Sequence, residues 1–263
     1  MKNSKFITNF NFKNKKVLIL GGSGLIGKDI VKNYLALGAK VRVIDINNKV
    51  IKNLKVGKKS NLSYNFLDLS NNLSKEIIIN SLKGFGCPNI FINCSYPKTQ
   101  DWEKNNFSQI KLKSLNQNLN FHLGSYTYFA IVVAELMKNK KIKGNIIQFS
   151  SIYGIVGQDL DLYKGTKMRE NISYSVIKGG ILSLTRSMAS YYGPYGIRVN
   201  TICPGGIYDK QDKKFVKNYS KKTPLGRMAS KSEVTKPVIF LSSEGSSYIT
   251  GTTLIVDGGI TIK

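Results

Sequence analysis

The sequence predicts an α/β fold: one doubly wound, mostly parallel sheet of about seven strands with helices on both faces. Three observations lead there. Short apolar runs alternate with helical patterns along the chain, which is the signature of a parallel sheet covered on both sides. The first run flows straight into a glycine-rich turn that opens a helix. No internal repeat or low-complexity linker interrupts the 263 residues, a length that one large α/β core accommodates.

Taken in order, the run at 16–20 enters Gly21-Gly-Ser-Gly-Leu-Ile-Gly27 and then the helical pattern of Ile30, Val31, Tyr34 and Leu35, which stops at Gly38. A second strand over 40–44 closes on Asp45. Further strands fall at 62–66, 90–93, 146–149, 199–202 and 254–256. In open α/β sheets ligands bind at the carboxyl ends of the strands. The glycine turn, Asn93, the pair Ser150-Ser151, and Pro204-Gly205-Gly206 all lie at such ends.

The glycines of the first turn permit close backbone approach, and the following helix offers unpaired N–H groups and a positive dipole to a pyrophosphate. Asp45 is placed to accept hydrogen bonds from both adenine-ribose hydroxyls and to repel a 2′-phosphate, which favours NAD over NADP. Capping of its own loop is the simpler role for Asp45. Farther on, Tyr174-Ser-Val-Ile-Lys178 puts a phenol and an ammonium one turn apart on one helix face. A nearby positive charge favours phenolate, so the expectation is a Tyr174 pKa lowered toward the operating pH and a proton exchanged with an alcohol or ketone.

Together these motifs resemble the short-chain dehydrogenase/reductase family over nearly the whole chain, with Ile255-Val-Asp-Gly-Gly259 as a further matching segment. The resemblance implies a Rossmann-type domain over 15–263 behind a polar N-terminal tail at 1–14, a substrate loop over 152–173 and a lid over 205–225. It implies a catalytic set of Asn118, Ser151, Tyr174 and Lys178. Asn118 is expected at a helix irregularity that holds a proton-relay water, and Ser150 is expected to pack locally. Cofactor contacts carried over are Gly21, Ser23, Gly24, Leu25, Ile26, Gly27, Asp45, Asp68, Leu69, Asn93, Cys94, Ser95, Tyr174, Lys178, Pro204, Gly205 and Ile207. A homodimer or homotetramer is implied in the same way.

Departures from the family pattern bear on substrate. The glycines are spaced as in the extended branch of the family. Cys94-Ser95-Tyr96-Pro97 replaces the usual Asn-Ala-Gly continuation, the stretch between Ser151 and Tyr174 is long, and Tyr208 follows Pro204-Gly-Gly-Ile. Asn93-Cys-Ser-Tyr-Pro97, Tyr163-Lys-Gly-Thr166 and Pro204-Gly-Gly-Ile-Tyr208 resemble oxidoreductases of bacterial surface-sugar pathways, including flagellin glycosylation and legionaminic acid synthesis. That resemblance implies a sugar or sugar phosphate as substrate. Tyr96, Lys98, Lys167 and Arg169 are the candidate substrate residues. Reduction of a ketoacyl or other lipid-type ketone is the alternative, since the same tetrad serves it.

Composition narrows the rest. One histidine, His122, and three scattered cysteines, Cys87, Cys94 and Cys203, supply neither a zinc site nor a Ser-His-Asp arrangement, and unpaired cysteines fit a reduced, cytoplasmic setting. His122 reads most simply as a helix residue near the active-site helix. No apolar run of membrane-spanning length occurs. The net charge of +25, nearly all lysine, reads first as solvated faces and codon bias. The rival is a nucleic-acid-associated protein contacting phosphates through Lys52, Lys55, Lys58 and Lys59, or Lys138, Lys140 and Lys141, but no nucleic-acid-reading motif accompanies these clusters.

Overall fold

The computed structural model describes residues 10–48, 61–71 and 73–262. Within them one sheet contains β1 (Lys16–Leu20), β2 (Lys40–Asp45), β3 (Leu62–Phe66), β4 (Ile90–Asn93), β5 (Asn145–Phe149), β6 (Arg198–Pro204) and β7 (Thr253–Val256). Their spatial order is β3-β2-β1-β4-β5-β6-β7, with every neighbouring pair parallel. The doubly wound sheet expected from the sequence is therefore present. The helices are α1 (Leu25–Ala36), α2 (Lys75–Ser81), α3 (Leu112–Asn118), α4 (Ser125–Asn139), α5 (Ile172–Tyr192), α6 (Lys213–Lys222) and α7 (Lys231–Ser242).

The strands read as continuous apolar runs because both faces are buried. Leu18 and Leu20 of β1 pack with Phe129, Val133 and Met137 of α4 and with Met188 and Tyr192 of α5. Val17 and Ile19 point the other way, into Ile30, Val31 and Tyr34 of α1 and Val234, Val238 and Leu241 of α7. Each such buried aliphatic side chain stabilises the fold by about 1.5–3 kcal/mol. From β1 the chain winds outward to β3, then crosses back to β4 and winds the opposite way. The crossing opens a crevice between the carboxyl ends of β1 and β4.

Two expectations need adjusting. The polar tail drawn over 1–14 runs into the core: Phe12 is 2% exposed and meets Tyr34 edge-on with ring centroids 5.1 Å apart, with Phe10 packed beside it. Residues 1–9 of that tail, and the cluster Lys52, Lys55, Lys58 and Lys59, lie outside the described residues. In the second basic cluster, Lys138 is engaged within the protein, 3.5 Å from Glu135 and over the rings of Tyr191 and Tyr195. Among the described residues no helix is long and apolar enough to cross a membrane.

Candidate active site

The crevice beside β1 is a cleft of about 310 Å³ lined by Gly21, Ser23, Gly24, Asp45, Asp68, Leu69, Cys94, Ser95 and Tyr96, among others. Its floor is backbone. Gly21 has φ +80, and a Cβ there would sit 2.7 Å from the Cys94 carbonyl oxygen and from the Ser95 backbone; one on Gly27 would overlap the Gly21 carbonyl oxygen. The turn therefore needs glycine at both positions. Gly24 caps α1 without a side-chain hydrogen bond, and no acidic residue occupies the first helical turn. The N–H groups of that turn, carried by Leu25, Ile26 and Gly27, are thus left for an anion. These features fit a dinucleotide pyrophosphate.

Asp45 does two jobs. Its carboxylate accepts the Ser23 N–H at 2.8 Å and the Asn47 N–H at 3.0 Å, so it ties the glycine turn to β2 and caps its own loop while facing the cleft. Asp68 also lines the cleft, with its carboxylate engaged by Ser70 and Asn71. Asn93 is fully buried: its amide donates to the Tyr126 carbonyl and accepts the Ser95 hydroxyl. It braces β4 against α4 and is not among the residues lining the cleft. Pro204, Gly205 and Ile207 stand at the end of β6, also outside that lining, where Gly205 is held by Val256 and Ile207 bridges Ala229.

Ser151, Tyr174 and Lys178 are brought together at the end of β5. Asn171 caps α5 by accepting the Tyr174 N–H at 2.9 Å, which fixes the first turn of the helix that carries the pair. Ser150 points away and donates to the Lys178 carbonyl oxygen at 2.7 Å, and strand alternation turns Ser151 to the other side. The Lys178 ammonium is 4% exposed, donates to the Phe149 carbonyl at 3.0 Å and lies 5.5 Å from the Tyr174 ring centroid. Burial pushes the Tyr174 phenol up to about 12, only partly opposed by a hydrogen bond from Ser151, and pushes Lys178 down to about 7. The expected lowering of the Tyr174 pKa is therefore overturned. Taking both groups out of water penalises both charged forms, and this is the largest cause of each shift.

Asn118 ends α3 and is immediately followed by a π-helical stretch, Leu119–Gly124, which is a backbone irregularity at the expected place. Its amide is already used within the protein: it donates to Thr99 Oγ1 and the Ser114 carbonyl and accepts the Thr99 N–H. No hydrogen bond joins it to Lys178. The side chain that the π-helical stretch turns toward the site is His122, fully buried, with its ring 5.0 Å from that of Tyr96. A single histidine on a helix carries no sequence signal for this placement.

Beside Tyr174 opens a slot of about 170 Å³ walled by Tyr96, Trp102, Tyr153, Tyr163 and Tyr174, with Gln158, Arg169 and Glu170 at its polar side. Tyr96, Trp102 and Tyr153 each meet Tyr174 edge-on. Of the four candidate substrate residues, Tyr96 and Arg169 line this slot. Lys98 lies on a separate surface hollow and pairs with Glu103 at 3.9 Å, and Lys167 is exposed outside the slot. Trp102, Tyr153 and Gln158 were not singled out from the sequence, because nothing local distinguishes them. The loop and the lid segment are joined: Asn218 on α6 donates to the Leu162 and Lys164 carbonyls, and Lys222 pairs with Asp159 and Asp161.

Comparison with known proteins agrees with this geometry. A family model described as enoyl-(acyl carrier protein) reductase matches residues 23–261. Post-translational flagellin modification protein A of Campylobacter coli is 31% identical over 252 residues, covering 94% of this chain and 98% of that protein. L-rhamnose-1-dehydrogenase of Scheffersomyces stipitis is 31% identical over 268 residues, covering 95% and 96%. A short-chain dehydrogenase structure from Leptospira borgpetersenii with bound NAD+ superposes with a TM-score of 0.85 at 35% identity, covering 99% of this chain and 96% of that one. The fold, the glycine turn and these matches place the chain in the short-chain dehydrogenase/reductase family of oxidoreductases.

Proposed function

We propose that the protein is an NAD-dependent oxidoreductase that moves a hydride between nicotinamide and a secondary alcohol or ketone of a sugar or sugar phosphate, in surface-glycan biosynthesis. The observation that carries this reading is the aromatic slot ending on Tyr174. Flat aromatic walls suit the apolar face of a pyranose, while Gln158, Arg169 and Glu170 present hydrogen-bonding groups to its hydroxyls. The flagellin-modification and rhamnose-dehydrogenase relatives support the same class.

When bound, the nicotinamide supplies the hydride acceptor or donor. Tyr174 exchanges the hydroxyl proton of the substrate. Ser151 donates a hydrogen bond to the substrate oxygen and holds it against Tyr174. Lys178, fixed by the Phe149 carbonyl, would hold the nicotinamide ribose with its remaining N–H groups. Tyr96, Trp102 and Tyr153 shut water out around the phenol. A reaction chamber closed by the joined loop and lid completes that exclusion.

Absorbance at 340 nm, followed with purified protein, NAD and a panel of sugars and sugar phosphates, tests the reading. Turnover of β-ketoacyl substrates with no sugar activity would establish instead the lipid-type ketone reductase, the alternative that the acyl-carrier description of the family model supports. Asp45→Ala is expected to weaken NAD binding about 10- to 100-fold and leave NADP binding little changed, since it removes charged hydrogen bonds worth about 1.5–3 kcal/mol. Calorimetric titration with both dinucleotides reads this; an unchanged NAD affinity would confine Asp45 to the loop cap. Arg169→Ala is expected to raise KM for a phosphorylated sugar about 10-fold with little change in kcat. An equal rise for the unphosphorylated sugar would remove phosphate from the proposal.

Exposed apolar residues on α4 and α5, Tyr128, Ile131, Val176 and Tyr191, support association into a dimer or tetramer. A salt-sensitive interaction with RNA and no dinucleotide affinity would favour the nucleic-acid reading instead.

A further inference from the structure

His122 is the one histidine of the chain, and it is fully buried with both ring nitrogens lacking a hydrogen-bond partner among the described residues. Leaving a buried polar atom unpaired is destabilising, so two on one ring mark a position held for a reason other than packing. The surroundings indicate which. The ring lies on the π-helical stretch Leu119–Gly124, an irregularity frequent at functional sites. It stacks edge-on against Tyr96 at 5.0 Å and sits 6.0 Å from Tyr126. The Lys178 amine lies over the same Tyr96 ring, 5.6 Å from its centroid. Tyr96 is thus a shared neighbour of the two nitrogenous groups, and Lys178 is near enough for its charge to act on the imidazole. Burial and the neighbouring Lys178 hold the imidazole neutral, so it carries one donor and one acceptor.

We propose that His122 is a positioning residue acting through Lys178, relaying the proton between the Lys178 amine and interior water during turnover. The inference rests on the roles given above to Tyr174 and Lys178. In the alcohol-oxidising direction the carbinol O–H proton goes to the Tyr174 phenolate as the hydride leaves the carbon. The proton passes on to the Lys178 amine, forming the ammonium. The ammonium returns it, through a water, to the acceptor nitrogen of His122, while the N–H on the opposite nitrogen releases a proton to water. Lysine and histidine each gain one proton and lose one; the imidazole is left as its other tautomer, and proton exchange with interior water restores the first before the next turnover. Ketone reduction runs the same path in reverse.

His122→Leu keeps the volume and removes both polar atoms; His122→Asn keeps one donor and one acceptor. For the leucine variant the expected result is a fall in kcat of about 10²-fold, with NAD affinity by calorimetry within about twofold of wild type and a larger solvent deuterium isotope effect. The asparagine variant is expected to recover most of the lost kcat. A leucine variant with wild-type kcat overturns the proposal, as does an equal loss in both variants accompanied by an equal drop in melting temperature, which is the signature of packing alone. A second readout is independent of any substrate. With a single histidine, the imaidazole 15N resonances are assigned at once, and they are expected to shift in Lys178→Met; unchanged resonances sink the relay. Should no sugar be turned over, the substrate reading fails by itself and the resonances still decide the role of His122.

Discussion

Tyr174→Phe is expected to lower kcat by about 10³-fold while NAD affinity stays within about twofold of wild type. The phenol oxygen is the atom this substitution removes. The ring, its edge-on contacts with Tyr96, Trp102 and Tyr153, and the helix cap from Asn171 all remain. General acid–base groups typically contribute 10²–10⁴-fold, and burial raises the stake: with the phenol pushed up to about 12, little phenolate exists at neutral pH without further help from bound ligands. The glycine turn and Asp45 are untouched, so calorimetric NAD binding separates a chemical loss from a binding loss. Wild-type turnover in this variant would refute the role of Tyr174.

Lys178→Met is expected to abolish most activity and yet to raise stability at neutral pH. The ammonium is 4% exposed, and burial lowers its pKa from 10.5 to about 7. Between those two values the unfolded chain binds more protons than the folded one, so stability rises with pH across that window. Below about pH 7 the penalty for the buried ammonium is fully present; above about 10.5 it is gone. The penalty is on the order of a few kcal/mol, reduced by the bond to the Phe149 carbonyl. Melting temperatures of wild type and variant from pH 6 to 10 provide the check. The wild type should gain on the variant as pH rises, and a constant difference would show that Lys178 is solvated in the folded protein. The loss of activity beside the gain in stability follows from a functional charge kept where folding alone disfavours it.

How much of the site was legible can be seen at adjacent residues. Ser150 and Ser151 were separable in advance through the family resemblance together with strand alternation, and Ser150 is found on the Lys178 carbonyl. Gly21 and Gly27 were legible because glycine marks a backbone constraint directly. Asn118 was named through the family resemblance and His122 as an ordinary helix residue, and neither environment was legible. Both lie on the segment before α4, and their environments come from strands and helices distant in sequence: Thr99 and Ser114 take up the amide of Asn118, while Tyr96 and the approach of α5 define the setting of His122. The Tyr174 pKa departs from what the four-residue spacing implies for a related reason. The four-residue spacing shows the ammonium, and the desolvation that outweighs it belongs to packing by the whole chain.

Apolar periodicity and local spacing specify the order and type of the elements, the glycine turn, Asp45 at the end of β2 and the Tyr174–Lys178 pair, because each is written within a few residues of chain. Tertiary structure alone decided which candidate side chains share a cavity, admitting Tyr96 and Arg169 and leaving Lys98 and Lys167 outside, and which titrating groups are stripped of water. Both are properties of contacts between segments far apart in the chain, and of the low-dielectric interior that those contacts create.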